Sequence, residues 1–197
     1  MPSFVFTIVG TVALAVCVFC LLALHFVPSG VNPLRDPVSL YGTTRYSVLY
    51  RVQAIASGLC ALCLLLALAG QQTNLPVVGL LMLAGYGIAR ICIATFMMDA
   101  DEKRTRTGIL HIILAAVAFT TIAIAVGMLT APLLSSPLWN ALRDYLSLTV
   151  YVTIISAILF LLIRSLPILQ RFTGLIERGI YLGALCWLGL VIIPLIH

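Results

Sequence analysis

The chain has 197 residues, of which 62% are hydrophobic and only 9% charged, with a net charge of +5. Soluble domains carry about 25% charged residues, so this composition excludes a water-soluble fold, which would be unable to cover its own surface. It also excludes a nucleic-acid-binding domain, because no basic segment interleaved with aromatics is present to contact phosphates and bases.

With no water in the hydrocarbon core, a chain must satisfy its backbone groups internally, by helices or a closed barrel. The apolar runs have the roughly 20-residue length of spanning helices, and no alternating strand pattern appears. The expected fold class is all-α: a polytopic bundle of six transmembrane helices over 4–27, 47–70, 76–98, 108–131, 144–164 and 178–197, forming a single membrane domain over 1–197. The first run has no basic residue before it and is longer than the 7–15-residue core of a signal peptide, so it is expected to stay as a span.

The first connection carries Pro28, Pro33 and Pro37 with Gly30 and Gly42, which exclude a continued helix. Tyr41, Tyr46 and Tyr50 suit a membrane interface. The second connection, 71–75, is short and uncharged. The third, 99–107, is compact and charged. Ser136-Pro137 reads as a cap followed by a first-turn proline, which would start the fifth helix early and put Trp139 and Tyr145 at the outer interface. Over 167–177, Ile168, Leu169, Phe172, Leu175 and Ile176 share one helical face, with Gln170, Arg171, Thr173 and Glu177 opposite. That pattern fits an interfacial helix or an extension of the sixth span. Small residues four apart (Ala54/Gly58, Gly85/Ala89, Gly179/Gly183) permit close helix approach.

Lys and Arg are retained on the cytoplasmic side. Arg35, Arg45, Arg51, Lys103, Arg104, Arg106, Arg164, Arg171 and Arg178 cluster in and beside the gaps after helices 1, 3 and 5, whereas Arg143 alone lies on the other side. The expected location is a bacterial plasma membrane, with those three loops cytoplasmic and both termini outside. The one-sided charge suits anionic lipid headgroups.

Arg90 is the one base away from the ends of the spans. It lies nine positions before Asp99, about 13 Å of helix rise. Intramembrane charges face the bundle interior or a cavity, unless a long side chain snorkels to the headgroups; Asp36 and Asp99 are the expected partners. His25 and His111 sit at similar depth on two helices, the arrangement of a haem b ligand pair, although histidines bonded to a loop produce the same pattern. Asp36, Ser39, Asp99 and His111 contain the residue types of a hydrolytic set, without a nucleophile-elbow sequence around Ser39. Cys17/Cys20 and Cys60/Cys63 have CxxC spacing, but zinc needs four ligands and no histidine is near, so packing without disulfides is expected and no metal site.

The ordered set Asn32-Pro-Leu-Arg-Asp-Pro-Val-Ser-Leu-Tyr-Gly42, Tyr50-Arg-Val-Gln, Gly87-Ile-Ala-Arg90, Phe96-Met-Met-Asp99, Thr107-Gly-Ile-Leu-His111 and Ala118-Phe119 resembles the DUF998 family of bacterial six-helix membrane proteins, especially the actinobacterial kind. Phe96-Met-Met-Asp99 departs from that family's usual Phe-Pro-x-Asp. The resemblance implies a six-helix fold and a signature of Asp36, Ser39, Gly42, Arg90, Asp99, Gly108 and His111, and implies no activity. Looser similarity of layout to Frag1/DRAM/Sfk1-type membrane proteins is a fold-level analogy.

The leading expectation is therefore a non-catalytic binding or accessory protein. It would hold a lipid headgroup or small anion near the cytoplasmic leaflet, with Arg90 supplying charge and Asp36, Ser39, Asp99 and His111 orienting it. The alternatives are a lipid hydrolase using Ser39, His111 and Asp99, and a small subunit of a larger membrane complex.

Overall fold

The computed structural model describes residues 2–70, 74–99, 105–163 and 165–196; Lys103, Arg104 and Arg164, used in the orientation argument, lie outside them. Among the described residues the fold is entirely helical, without strands. The α-helices are α1 (Pro2–Phe26), α2 (Ser47–Ala69), α3 (Val77–Ile93), α4 (Arg106–Leu134), α5 (Pro137–Asn140), α6 (Arg143–Leu162), α7 (Pro167–Gln170) and α8 (Thr173–Ile192). Five stretches, Ser3–Phe26, Ser47–Ala69, Arg106–Leu134, Arg143–Leu162 and Thr173–Ile196, are long and apolar enough to cross a membrane. The remaining long helix, Val77–Ile93, is apolar but has only 17 residues, about 25 Å against a hydrocarbon core of about 30 Å.

That short helix corrects the expected third span, which ran to 98. The Thr95 hydroxyl donates back to the Cys92 carbonyl at 2.7 Å, and the chain turns so that the Phe96 carbonyl meets His111. Arg90 thus falls in the last turn of α3. The first connection is not irregular throughout: Val38–Thr43 forms a 3-10 helix after Pro37, whose φ of −64° sets up the turn. Tyr41 and Tyr50 are buried within the bundle, not at an interface. Trp139 is also buried, and its indole N–H donates to the Val191 carbonyl at 3.1 Å. Over 167–177 the chain forms the single turn α7 and then enters α8 at Thr173, so Glu177 and Arg178 belong to α8.

Helices consecutive along the chain pack side by side: α1 on α2, α2 on α3, α3 on α4, α4 on α6 and α6 on α8. α8 closes the ring against α1 and also touches α2 and α4. Its Trp187 is fully buried and donates to Thr130 Oγ1 at 2.8 Å, fastening α8 to α4. Gly58 lets α2 and α3 meet backbone to backbone: a Cβ there would stand 2.5 Å from the Gly87 carbonyl oxygen and 2.8 Å from Ile91 Cγ1.

The Gly58→Ala variant should therefore be overpacked and lose about 1–3 kcal/mol, lowering the thermal unfolding midpoint in detergent. Gly127→Ala, whose Cβ would meet only Ile154 Cδ1 at 3.5 Å, should leave it unchanged.

Candidate functional site

Arg90 organises the polar interior. It is 1% exposed, and its three nitrogens donate to three different side chains: Nε to Ser57 Oγ at 2.9 Å, Nη1 to Tyr181 Oη at 2.9 Å and Nη2 to Gln53 Oε1 at 2.8 Å. The guanidinium carbon lies 5.0 Å from the centre of the Tyr181 ring, a cation–π distance. Ser57 donates onward to the Ala54 carbonyl, and Gln53 Nε2 to Cys17 Sγ at 3.5 Å. The charge sits at the C-terminal turn of α3, where the helix dipole favours a cation. Neither snorkelling nor a carboxylate partner describes it; its shell is neutral. Gln53/Ser57 on α2 and Glu177/Tyr181 on α8 are polar pairs four residues apart, hence on one helical face. That spacing was the available sequence signal for partners that sequence reasoning missed.

A second construction fixes the first connection to α8. The free backbone N–H groups of Gly174 and Leu175 in its first turn donate to the carbonyls of Arg35 and Leu34 at 3.2 and 3.1 Å. Helix N-termini need such acceptors. A Cβ at Gly174 would collide with the carbonyl oxygens of Pro33 and Asp36, which is why glycine stands inside a helical pattern here. In return, Glu177 of α8 accepts the Val38 N–H at 2.7 Å and caps the 3-10 helix. Arg178 Nη1 donates to the Asp36 carbonyl at 2.9 Å, and its Nε to His25 Nε2 at 2.7 Å.

Beside this strap lies a half-open cavity of 510 Å³. One end is polar, formed by Ser39, Asp99, His111, Thr173 and Glu177; the other is apolar, formed by α4 and the end of α6 through Ile112, Ala115, Phe160 and Leu161. His111 is 3% exposed. Its Nδ1–H donates to the Phe96 carbonyl at 2.7 Å, which leaves Nε2 as an acceptor, and that atom is buried without a partner. Ser39 Oγ donates to Met98 Sδ at 3.2 Å. Asp99 accepts from the Thr105 hydroxyl and N–H, and its carboxylate packs on the Cα of Gly108. Those bonds from Thr105 hold the Asp99 carboxyl below its usual range.

The structure thus brings Ser39, Asp99 and His111 into one cavity and leaves Arg90 and Asp36 outside its lining. Asp36 instead folds its own loop, accepting the Asn32 N–H at 2.7 Å. Arg90 is spent on neutral partners, so the expected Arg90–Asp36–Asp99 grouping does not form. Ser39, His111 and Asp99 share the cavity, but their hydrogen bonds run to Met98, Phe96 and Thr105, not to one another. His25 uses both ring nitrogens, Nδ1 on the Leu21 carbonyl and Nε2 on Arg178, so neither is free for iron beside His111. Among the described residues no group of three His, Cys, Asp or Glu side chains is placed to hold a metal ion. All six cysteines are free thiols.

A bundle of long apolar helices with a charge buried among them is an integral membrane protein. The profile of a family described as "Protein of unknown function (DUF998)" matches residues 11–193, and the chain belongs to that family. No curated protein and no solved structure matches it.

Two predictions follow from these bonds. Replacing Arg90 by Met should cost about 1–3 kcal/mol for each polar group it strands, Gln53 and Tyr181 above all. Arg90→Lys should recover only part of that loss, since one ammonium cannot reproduce a three-nitrogen fork; thermal unfolding in detergent reads both. Because the folded Asp99 titrates below its unfolded value, its stabilising bonds persist at neutral pH and vanish as pH falls through the folded value. Asp99→Asn should therefore lower the unfolding midpoint at neutral pH, and the difference from wild type should close in strong acid.

Proposed function

We propose that this protein is a non-catalytic binding protein of the bacterial plasma membrane. On this reading Val77–Ile93 is a sixth span, the connections carrying Asp36, Asp99 and Arg171 face the cytoplasm, and both termini face outward. The cavity takes an amphiphile from the cytoplasmic leaflet, polar end toward His111 and Glu177, apolar end between α4 and α6. The observation that carries the reading is the unpartnered, buried Nε2 of His111 in a cavity that is polar at one end and apolar at the other. Ligand sites have that make-up, mostly apolar with a few convergent polar groups. The bonding of Arg90 to Gln53, Ser57 and Tyr181 favours a scaffold role for the arginine over direct contact with an anion.

A hydrolase is the second reading, favoured by the shared location of Ser39, His111 and Asp99 in one cavity. Its nucleophile and base are not hydrogen-bonded to each other as such chemistry requires.

Native mass spectrometry from mild detergent should show one amphiphile retained per chain. Ala116→Phe, which fills the cavity from α4, should reduce retention about tenfold or more, equivalent to about 1.4 kcal/mol. Equal retention by wild type and variant, or none by either, overturns the binding reading. Release of a cleaved lipid product that stops with Ser39→Ala would establish the hydrolase instead.

A further inference from the structure

A furrow of 380 Å³ adjoins the cavity at Leu161, which lines both, and follows the outer seam between α4 and α6 past Thr120, Ile124, Gly127, Ile154, Ala157 and their neighbours. From Ile112 in the cavity to Met128 in the furrow, α4 rises about 24 Å, more than the roughly 15 Å thickness of one leaflet's chains. The furrow has no charged lining residue.

The polar end has a definite chemical sense. Its lining includes the Asp99 and Glu177 carboxylates and the His111 Nε2 acceptor. Its two hydroxyls spend their protons elsewhere: Ser39 on Met98 Sδ and Thr173 on the Gln170 carbonyl. Among the described lining residues there is no lysine or arginine. Arg90 and Arg178 lie within electrostatic range of Glu177, but their hydrogen-bond donors go to other groups and neither lines the cavity. An occupant whose end offers only acceptors, such as a carboxylate, would find no free side-chain donor among Ser39, Thr173 and His111. A primary ammonium offers three donors and the opposite charge.

Resting on the amphiphile-binding reading above, we propose that cavity and furrow form one track for a single membrane lipid with a primary-ammonium headgroup, the ammonium at Glu177 and His111 and one acyl chain along the α4–α6 seam.

The test offers the purified full chain equimolar phosphatidylethanolamine, phosphatidylcholine and phosphatidylglycerol in mixed micelles and counts lipid adducts by native mass spectrometry. Phosphatidylethanolamine should be retained about tenfold over phosphatidylglycerol, as charge-assisted hydrogen bonds warrant. Phosphatidylcholine, whose quaternary nitrogen has no N–H, should not share the advantage. Glu177→Gln and His111→Ala should each reduce the preference; the second keeps the test decisive if the first disturbs the Val38 cap. Gly127→Phe, which fills the furrow, should reduce all adducts, while Leu81→Phe on the exposed face of α3 should not. A preference for phosphatidylglycerol that Ala116→Phe abolishes would overturn the headgroup assignment and leave amphiphile binding standing. Unchanged adducts in Gly127→Phe would overturn the chain placement. Absence of every adduct in wild type would overturn both.

Discussion

One buried guanidinium sets the geometry of the polar half of this bundle. An unpaired charge removed from water costs far more than a fold can bear unless its donors are satisfied. Here the donors are satisfied by neutral groups on two other helices, Gln53 and Ser57 on α2 and Tyr181 on α8, with Gln53 passing the network on to Cys17 of α1. Neutral acceptors are directional and short-range, unlike a carboxylate partner in electrostatic range. Three bonds of 2.8–2.9 Å therefore specify how α2, α3 and α8 stand relative to one another. Everything that lines the cavity from α8 inherits that position, because Glu177 is one turn from Tyr181 on the same helical face.

The first connection depends on the same helix in both directions. α8 lacks backbone acceptors for the N–H groups of its first turn, and the connection supplies the carbonyls of Leu34 and Arg35. The 3-10 helix in the connection lacks an acceptor for Val38 N–H, and α8 supplies the Glu177 carboxylate. Each element completes the other's end, so a segment rich in proline and glycine has its backbone groups tied to a helix. Ser39 is adjacent to the capped residue, and this is how it comes to lie opposite His111 across the cavity.

Much of this was legible beforehand. Apolar run length located the long helices, and Arg90 stands out in the sequence because it is the one base far from either end of an expected span. Ser39, Asp99 and His111 were grouped from their common side of the membrane. What failed depended on partners that periodicity does not name. Opposite charge points from Arg90 to the carboxylates Asp36 and Asp99; the fold uses an amide and two hydroxyls, which in sequence look like ordinary minor polarity within α2 and α8. Periodicity over 167–177 as one amphipathic segment puts Glu177 on its polar face. The break at Gln170–Thr173 rotates it inward, and only the close approach of Pro33 and Asp36 to Gly174 explains that break. The early end of α3 follows from the His111–Phe96 bond, a contact fifteen residues apart along the chain.

The bundle divides into a latched half and a parted seam. α1, α2, α3 and α8 share the Arg90 network and its extension to Cys17, and Gly58 brings α2 and α3 into backbone contact. Small residues usually serve that purpose in membrane bundles. On the α4–α6 side the same kind of residue does the opposite: Ala115, Ala116, Ala123, Gly127 and Ala157 line open space that no neighbouring side chain fills. Lipid tails gain as much from packing there as helices would, since no hydrophobic effect distinguishes one apolar surface from another inside a bilayer. On the proposed lipid-binding reading, a seam of small residues that starts at a fixed set of hydrogen-bond acceptors would be selective at its polar end and tolerant along its length. The latched half holds the acceptors in place independently of the seam.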